Sequence, residues 1–338
     1  MNQPLVSIIM TTYNPVEEYL KLTIDSVIKQ HYSNWELIII DDGSRTDVGA
    51  VIKEFSDARI IFKRCEINRG ISACMNEALS MAKGSMFAKM DDDDIAYPNW
   101  LAVMLAYFEA HPEANVLGCD LKLSGEKEGF LIRELQHGRE KQQAEMIIQN
   151  GGIPHPMCMI RKEFLDKYQI RYDTRYKSSV DYALWVEIVK YSRLDSIPEV
   201  LGIYRRHQKQ ISTKTYSAQQ NFADEIRWNQ MREFGLEPDE RQRQIHNKLC
   251  RIQPLDKEDL AVLDEWLTQL KEANLKSPYF HSGALKLILH QRAATLYLRY
   301  VKNNYDLTAV KYIIKYMTIQ NIMNGLHRVV CRNNREKR

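Results

Sequence analysis

Residues 86–98 read Met-Phe-Ala-Lys-Met-Asp-Asp-Asp-Asp-Ile-Ala-Tyr-Pro, and the fold turns on how this stretch is read. The short apolar run (Met86, Phe87, Ala88, Met90) is expected to form a buried strand, and four consecutive aspartates, Asp91 to Asp94, end it. Carboxylates packed this closely repel one another, so a strand ending in four of them needs a compensating cation. Divalent magnesium or manganese suits all-oxygen ligands, and both ions commonly bridge the phosphates of a nucleotide. A solvated acidic loop is the alternative when the run is taken alone.

The segments before this stretch narrow the choice. Leu5 to Met10 is a continuous apolar run, as expected of a strand buried on both faces, and Thr11-Thr-Tyr-Asn-Pro15 follows as a turn. Leu20, Ile24, Val27 and Ile28 form a helical stripe within 17–30. Trp35 to Ile40 is a second buried strand, stopped by Asp41-Asp-Gly-Ser44. A helix carrying Val48, Val51, Ile52 and Phe55, a strand over 59–63 and a helix over 71–82 lead to the strand at 86–90. Strand and helix alternate with short connections, which predicts an α/β fold with a mainly parallel sheet and right-handed crossovers. A helix over 99–109 and strands over 116–120 and 129–133 continue it. After about Ser212 helical stripes dominate, so a domain of residues 1–212 is expected, followed by a helical region of residues 213–338.

The chain has 338 residues, 44% hydrophobic and 27% charged, in the range of a globular protein with one large domain or two smaller ones. Its net charge of +3 is unevenly placed: residues 299–338 carry nine Lys/Arg against two acidic residues, leaving −4 on the remainder. A basic tail on a mildly acidic body suggests an anionic surface partner there. The six cysteines include no C-x-x-C pair and read as reduced, cytosolic thiols. No signal peptide is seen at the N-terminus, and no stretch approaches the apolar length of a membrane span.

In an open α/β sheet, ligands sit beyond the carboxyl ends of the strands. Thr11, Tyr13 and Asn14, then Asp41 and Asp42, then Asp91 to Asp94 fall at those ends. Such a set matches a nucleoside diphosphate in three pieces: Tyr13 stacks on a base, Asp42 accepts the N3–H of a uracil, and a metal bridges the phosphates. Neither G-x-G-x-x-G nor G-x-x-x-x-G-K-[ST] occurs, which disfavours a glycine-rich phosphate loop.

At these residues the chain resembles the inverting glycosyltransferases of family 2, which have the GT-A fold. The matching segments are Val6 to Asn14, Trp35 to Ser44, Asn68-Arg-Gly-Ile-Ser72, Met90 to Pro98 and, more loosely, Val180 to Trp185. The resemblance covers residue 1 to about 212 and implies roles residue by residue. Thr11 and Tyr13 resemble the uridine-binding loop, Asp42 the uracil contact, and Arg69 a basic residue that meets the nucleotide. The D-x-D motif falls on Asp91 and Asp93. Asp91 and Asp92 are then nucleotide-binding and Asp93 the ligand of Mn²⁺ or Mg²⁺, with the register open by one because all four positions are Asp. Asp181 stands at the place of the general base, although Val180 replaces the glutamate that often precedes it. Its alternative is to cap a helix over 182–191. His155, between two prolines, falls where the family shapes its donor and acceptor pocket, or is simply a rigid turn. Tyr204 to Ser212 resembles the closing segment, with Arg205 or Arg206 at the phosphates and His207 a candidate metal ligand.

The resemblance implies a UDP-sugar donor and a saccharide acceptor of the lipid-linked O-antigen or capsule kind. It also implies a single inverting displacement that gives a β-glycoside from an α-linked donor. In the last helix Ala309, Tyr312, Tyr316, Ile319, Met323, Leu326 and Val330 form an apolar stripe beside basic residues. It fits either the protein's own core or an anionic membrane, and a peripheral place on the cytoplasmic face of the plasma membrane is the preferred reading. A sugar-1-phosphate nucleotidyltransferase is the enzymatic alternative, though it would want a glycine-rich basic loop at 11–15. A non-catalytic UDP-sugar-binding protein is the other; an EF-hand is excluded by pattern. The basic tail lacks a nucleic-acid-binding module, so no nucleic-acid partner is expected.

Overall fold

The computed structural model describes residues 3–125, 128–131, 138–207 and 216–317. The chain divides into two compact units, one of residues 1–142 and 150–223, the other of residues 143–149 and 224–338.

In the first unit, four strands form a parallel block: β1 (Val6–Thr12), β2 (Trp35–Asp41), β3 (Ile60–Arg64) and β4 (Met86–Asp91), in the order β3-β2-β1-β4. Their connections are α1 (Glu17–Ile28), α2 (Val48–Lys53) and α3 (Ile71–Met81). Parallel neighbours need such crossovers, and burial on both faces explains why β1 and β2 carry almost unbroken Val, Ile, Leu and Met. Register brings the polar ends together: Thr11 pairs with both Ile40 and Asp91, and Thr12 pairs with Asp41. On β4, Met86, Ala88 and Met90 join a core with Val6, Ile8, Trp100 and Leu101.

Beyond β4 the sheet becomes mixed. The elements are β5 (Ile95–Ala96), α4 (Trp100–Ala110), β6 (Val116–Gly125), β7 (Gly129–Leu131), α5 (Arg139–Glu145), β8 (Met159–Arg161), α6 (Lys162–Lys167), α7 (Val180–Ile188) and β9 (Asp195–Arg206). Strand β8 runs antiparallel to both β4 and β6, β9 parallel to β6, and β5 antiparallel to β9. The parallel expectation thus holds for the first four strands, and the second half departs from it because its strands are no longer joined by simple helical crossovers. Helix α7 also begins earlier than expected: Ser179 is its N-cap, so Asp181 lies in the first turn and is not the cap.

The later helices are α8 (Tyr216–Glu233), α9 (Glu240–Arg251), α10 (Asp259–Lys276), α11 (Ser282–Asn304), a short 3-10 turn (Leu307–Ala309) and α12 (Val310–Tyr316). The second unit packs Ile147, Trp228, Phe234, Leu249, Leu263, Trp266, Leu289 and Tyr297 into one core. Ala309 and Tyr316 are buried in that core, and Tyr312 stacks on Tyr297 with ring centroids 4.9 Å apart. This part of the stripe read in the sequence therefore faces protein, which corrects its reading as a membrane face. The remaining members, Ile319, Met323, Leu326 and Val330, lie outside the described residues.

His246 shows how specific this core is. Trp266 donates its indole N–H to His246 Nδ1 at 3.1 Å, so the imidazole proton sits on Nε2, 2.9 Å from the Ile147 carbonyl. A second ring proton would point at the indole donor, and burial already pushes the imidazole down to about 3. Between that value and about 6.5 the unfolded chain binds the extra proton and the folded one does not. Stability contributed by this group is therefore complete at neutral pH and lost as pH falls, at up to about 1.4 kcal/mol per pH unit. Urea titrations from pH 7 to 5 are expected to show this slope, and His246→Gln, which keeps a donor and an acceptor, to remove its share.

Candidate active site

The carboxyl ends of β1, β2 and β4 place the predicted residues at one edge of the first unit, and the local chemistry there is that of crowded acids. Asp91 is pushed upward by burial, but the neighbouring Lys89 ammonium outweighs this and holds its carboxyl below the ordinary range. Lys89 is itself fully buried; its Nζ donates to the Met90 carbonyl at 2.9 Å and pairs with Asp91. Asp92, which accepts from the Thr12 hydroxyl, is pushed up to about 7 by burial and by the charge of Asp93. Asp94 is buried and raised well above its usual value, by burial and by Asp91 and Asp93. One of its oxygens accepts the Arg205 amide at 2.9 Å, and the other has no hydrogen-bond partner among the described residues.

His207 lies with Nε2 2.9 Å from Asp93 Oδ2. A carboxylate and an imidazole are ligand types that suit a divalent cation, but among the described residues no third carboxylate closes with Asp93 and His207 into a group of three. The raised Asp92 and the unpartnered Asp94 oxygen are what an acidic cluster shows when its countercharge is incomplete. Asp93 and His207 are the pair that would hold a metal ion. Arg205, read in the sequence as a phosphate contact, donates from Nε to the Asp93 carbonyl at 2.8 Å, and its guanidinium lies 4.2 Å from the Tyr19 ring centre. It supports the acidic loop from behind. Arg206 ends β9 and is exposed.

The nucleoside end is more open. Thr11 is half-buried in the sheet, whereas Tyr13 is 40% exposed just beyond β1, with its ring available to a planar ligand. Asn14 next to it takes a positive φ, and its side chain accepts the Arg45 amide while its own amide donates to Ser44 Oγ. Asp42 is buried and clamped: the Arg69 amide donates to Oδ1 at 2.7 Å and the Gly70 amide to Oδ2 at 2.8 Å. The Arg69 guanidinium is engaged by Glu77 and by Cys65 Sγ. Among the described residues, Asp42, Cys65 and Cys74 form a group whose ligating atoms all lie within 4.8 Å of one another.

Behind the acidic run lies a second polar cluster. Asp181 accepts from Asn150 Nδ2 at 2.8 Å, and its carboxyl is raised by burial, an effect the Tyr182 amide and Asn150 oppose. His155 is buried, its Nε2 2.8 Å from the Tyr172 hydroxyl and its ring edge-on to Trp185. Burial pushes it down to about 3, so it is neutral at physiological pH and acts as a hydrogen-bonding rather than a charged group. Lys89, Asn150, Tyr172 and Tyr19 are functional-site neighbours that the sequence reading passed over. Only Lys89 carried a local signal, a charge inside an otherwise apolar strand.

The fold is that of a nucleotide-sugar transferase of the GT-A type. The Glycosyl transferase family 2 model matches residues 7–169. An uncharacterized glycosyltransferase of Haemophilus influenzae is 31% identical over 230 residues, 65% of this chain and 71% of that protein. The Escherichia coli UDP-Glc:alpha-D-GlcNAc-diphosphoundecaprenol beta-1,3-glucosyltransferase WfgD is 28% identical over 219 residues, 64% of this chain and 83% of that one. Among solved structures, residues 1–349 of S. aureus TarS in complex with UDP-GlcNAc superpose with a TM-score of 0.57 at 17% identity, covering 89% of this chain and 91% of that chain. This protein belongs to glycosyl transferase family 2, and it is a glycosyltransferase.

Gly152 ties the loop between Asn150 and His155 to α7. A Cβ there would lie 2.1 Å from Trp185 Cδ1, on a fully buried ring. Gly152→Ala is expected to destabilise the protein by about 1–3 kcal/mol, read as a lower urea midpoint at unchanged m-value.

Proposed function

We propose that the protein transfers a sugar from a UDP-sugar to a saccharide hydroxyl with inversion at the anomeric carbon. The observation that carries this reading is the acidic end of β4, where Asp91 to Asp94 meet Thr12, Arg205 and His207 at the mouth of a parallel sheet. Tyr13 would stack on the uracil, with Asp42 and the Arg69–Gly70 backbone defining the pocket around its edge. Asp91 and Asp92 would face the ribose and diphosphate. Asp93 and His207 would hold Mn²⁺ or Mg²⁺, which stabilises the charge that develops on a departing diphosphate.

Asp181 is the base in this reading. Its carboxylate accepts the proton of the attacking hydroxyl as the oxygen–carbon bond forms and the bond to UDP breaks on the opposite face. Asn150 holds the carboxylate in place through Oδ2. The upward shift of Asp181, caused by burial, makes it a stronger base than an exposed aspartate. Neutral His155, with Tyr172, lines the pocket as a hydrogen-bonding wall. A lipid-diphosphate-linked glycan is the acceptor class proposed, by analogy with the printed activity of WfgD, and it would be met at the cytoplasmic face of the plasma membrane. Among the described residues no helix is long and apolar enough to cross a membrane, so the attachment proposed is peripheral.

UDP release from a panel of UDP-sugars, with Mn²⁺ or Mg²⁺ and a GlcNAc-diphospholipid analogue, tests this directly. Metal- and acceptor-stimulated release from one donor is expected, with Asp93→Ala and Asp181→Asn each losing at least about 10²-fold. Tight UDP binding without turnover of any donor would favour a binding protein instead, and failure to bind UDP would sink the assignment of Tyr13 and Asp42. Because the base must be deprotonated, activity should fall on the acid side at a pH above the ordinary aspartate value of about 3.9. That limb is expected to vanish from the residual rate of Asp181→Asn.

A further inference from the structure

Burial of Ala309, Tyr312 and Tyr316 turns the opposite side of the same segment outward. In α12, Val310 and Ile314 stand four apart on one helical face, and Met317 follows as the exposed C-cap; Ile314 is 72% exposed. The turn leading into α12 adds Tyr305, 90% exposed, and Leu307, 71% exposed. Isolated apolar side chains on a surface are ordinary, but five within thirteen residues, on a segment whose other face is already packed, form a patch that asks for a partner.

Charge identifies that partner. Lys302, Lys311 and Lys315 alternate with these apolar residues and are exposed. Lys271 and Lys315 both approach the Tyr316 ring, at 5.7 and 5.4 Å from its centre, and with Lys286 they help hold the buried His290 down to about 4, after burial itself. Repulsion from Lys315 and Lys286 adds to the burial that lowers Lys271. Asp264 takes up the Lys315 charge at 2.6 Å, so it is the exposed Lys302 and Lys311, beside exposed aliphatic and aromatic side chains, that match the interface of an anionic bilayer, where apolar groups enter the acyl boundary and lysines meet the head groups. A second copy of the chain would bring the same lysines against themselves.

We propose that residues 305–317 form a membrane-docking face for anionic lipid, with Tyr305, Leu307, Val310, Ile314 and Met317 inserting and Lys302 and Lys311 engaging the phosphates. The proposal specifies the surface behind the peripheral placement above, yet it needs neither the donor nor the acceptor assigned there. Its test is therefore independent of turnover.

Full-length protein is sedimented with vesicles of phosphatidylglycerol and phosphatidylethanolamine, and with phosphatidylcholine alone. Binding to the anionic vesicles only, weakened by 0.5 M salt, is expected. Leu307→Asp with Ile314→Asp should reduce it at least tenfold while far-UV circular dichroism and UDP affinity stay at wild-type values. Lys302→Glu with Lys311→Glu should reduce anionic selectivity by a similar factor, giving a second reading if the first variant misfolds. Unchanged binding in both variants would move the docking to residues 318–338 and overturn the proposal. It would equally be overturned if wild-type protein ignored both vesicle types, or if sedimentation equilibrium showed a dimer that Leu307→Asp with Ile314→Asp dissociates.

Discussion

Everything at the mouth of the sheet is arranged around one electrostatic problem, the packing of four carboxyl groups at the end of β4. The buried Lys89 answers part of it. A lysine fully removed from water is costly unless paired, and here its ammonium pairs with Asp91 and caps the Met90 carbonyl. Asp91 is thereby held ionised, while its neighbours Asp92 and Asp94 are driven toward the protonated form. Asp91, Asp92 and Asp94 thus stand in different environments within one four-residue run. Arg205 and His207, arriving from the far end of β9, close the loop from the other side.

That closure explains why the second half of the first unit departs from the parallel pattern. To bring Arg205 and His207 over the acidic run, β9 must pair with β5, the two-residue strand directly after the aspartates. An antiparallel β5–β9 pair fixes the distance between the two segments through backbone hydrogen bonds, so the Asp94 carboxyl meets the Arg205 amide and not solvent. Gly202 permits this approach: a Cβ there would lie 2.6 Å from the Ile95 carbonyl oxygen and 2.2 Å from Met157 Sδ.

The first four strands and the acidic run were legible because their causes are local. Unbroken apolar strands, crossover helices and polar strand ends are all properties of short windows, and Thr11, Asp42 and Asp91 fall at the sheet mouth as the pattern implied. What was not legible depends on pairs distant in sequence. The Asn150–Asp181 and His155–Tyr172 hydrogen bonds join segments whose spacing has no period. The stripe of Ala309, Tyr312 and Tyr316 was misassigned for a related reason. A stripe at spacings of three and four marks an apolar face without saying what covers it, and here Tyr297 on α11 covers it, leaving the opposite side bare.

Asp42 illustrates how a fitting residue type can be used in an unforeseen way. The sequence offers it as a free acceptor for a base, but its two oxygens already take the Arg69 and Gly70 amides, and the Cys74 thiol also hydrogen-bonds to the carboxylate. Cys65, Cys74 and Asp42 lie close enough to hold a thiophilic metal, yet Arg69 already donates to Cys65 Sγ at 2.9 Å, placing a permanent cation where a second one would have to sit. The cluster is better understood as a hydrogen-bonded clamp that fixes the turn at Gly43, whose positive φ and close approach to Ile67 leave no room for a side chain. An acceptor held this rigidly retains lone pairs for a ligand while losing little freedom on binding it. In the role proposed for Asp42, preorganisation of that kind would make it more selective than an exposed aspartate, because a base presenting no donor at that edge would strip water from its remaining lone pairs without replacing it.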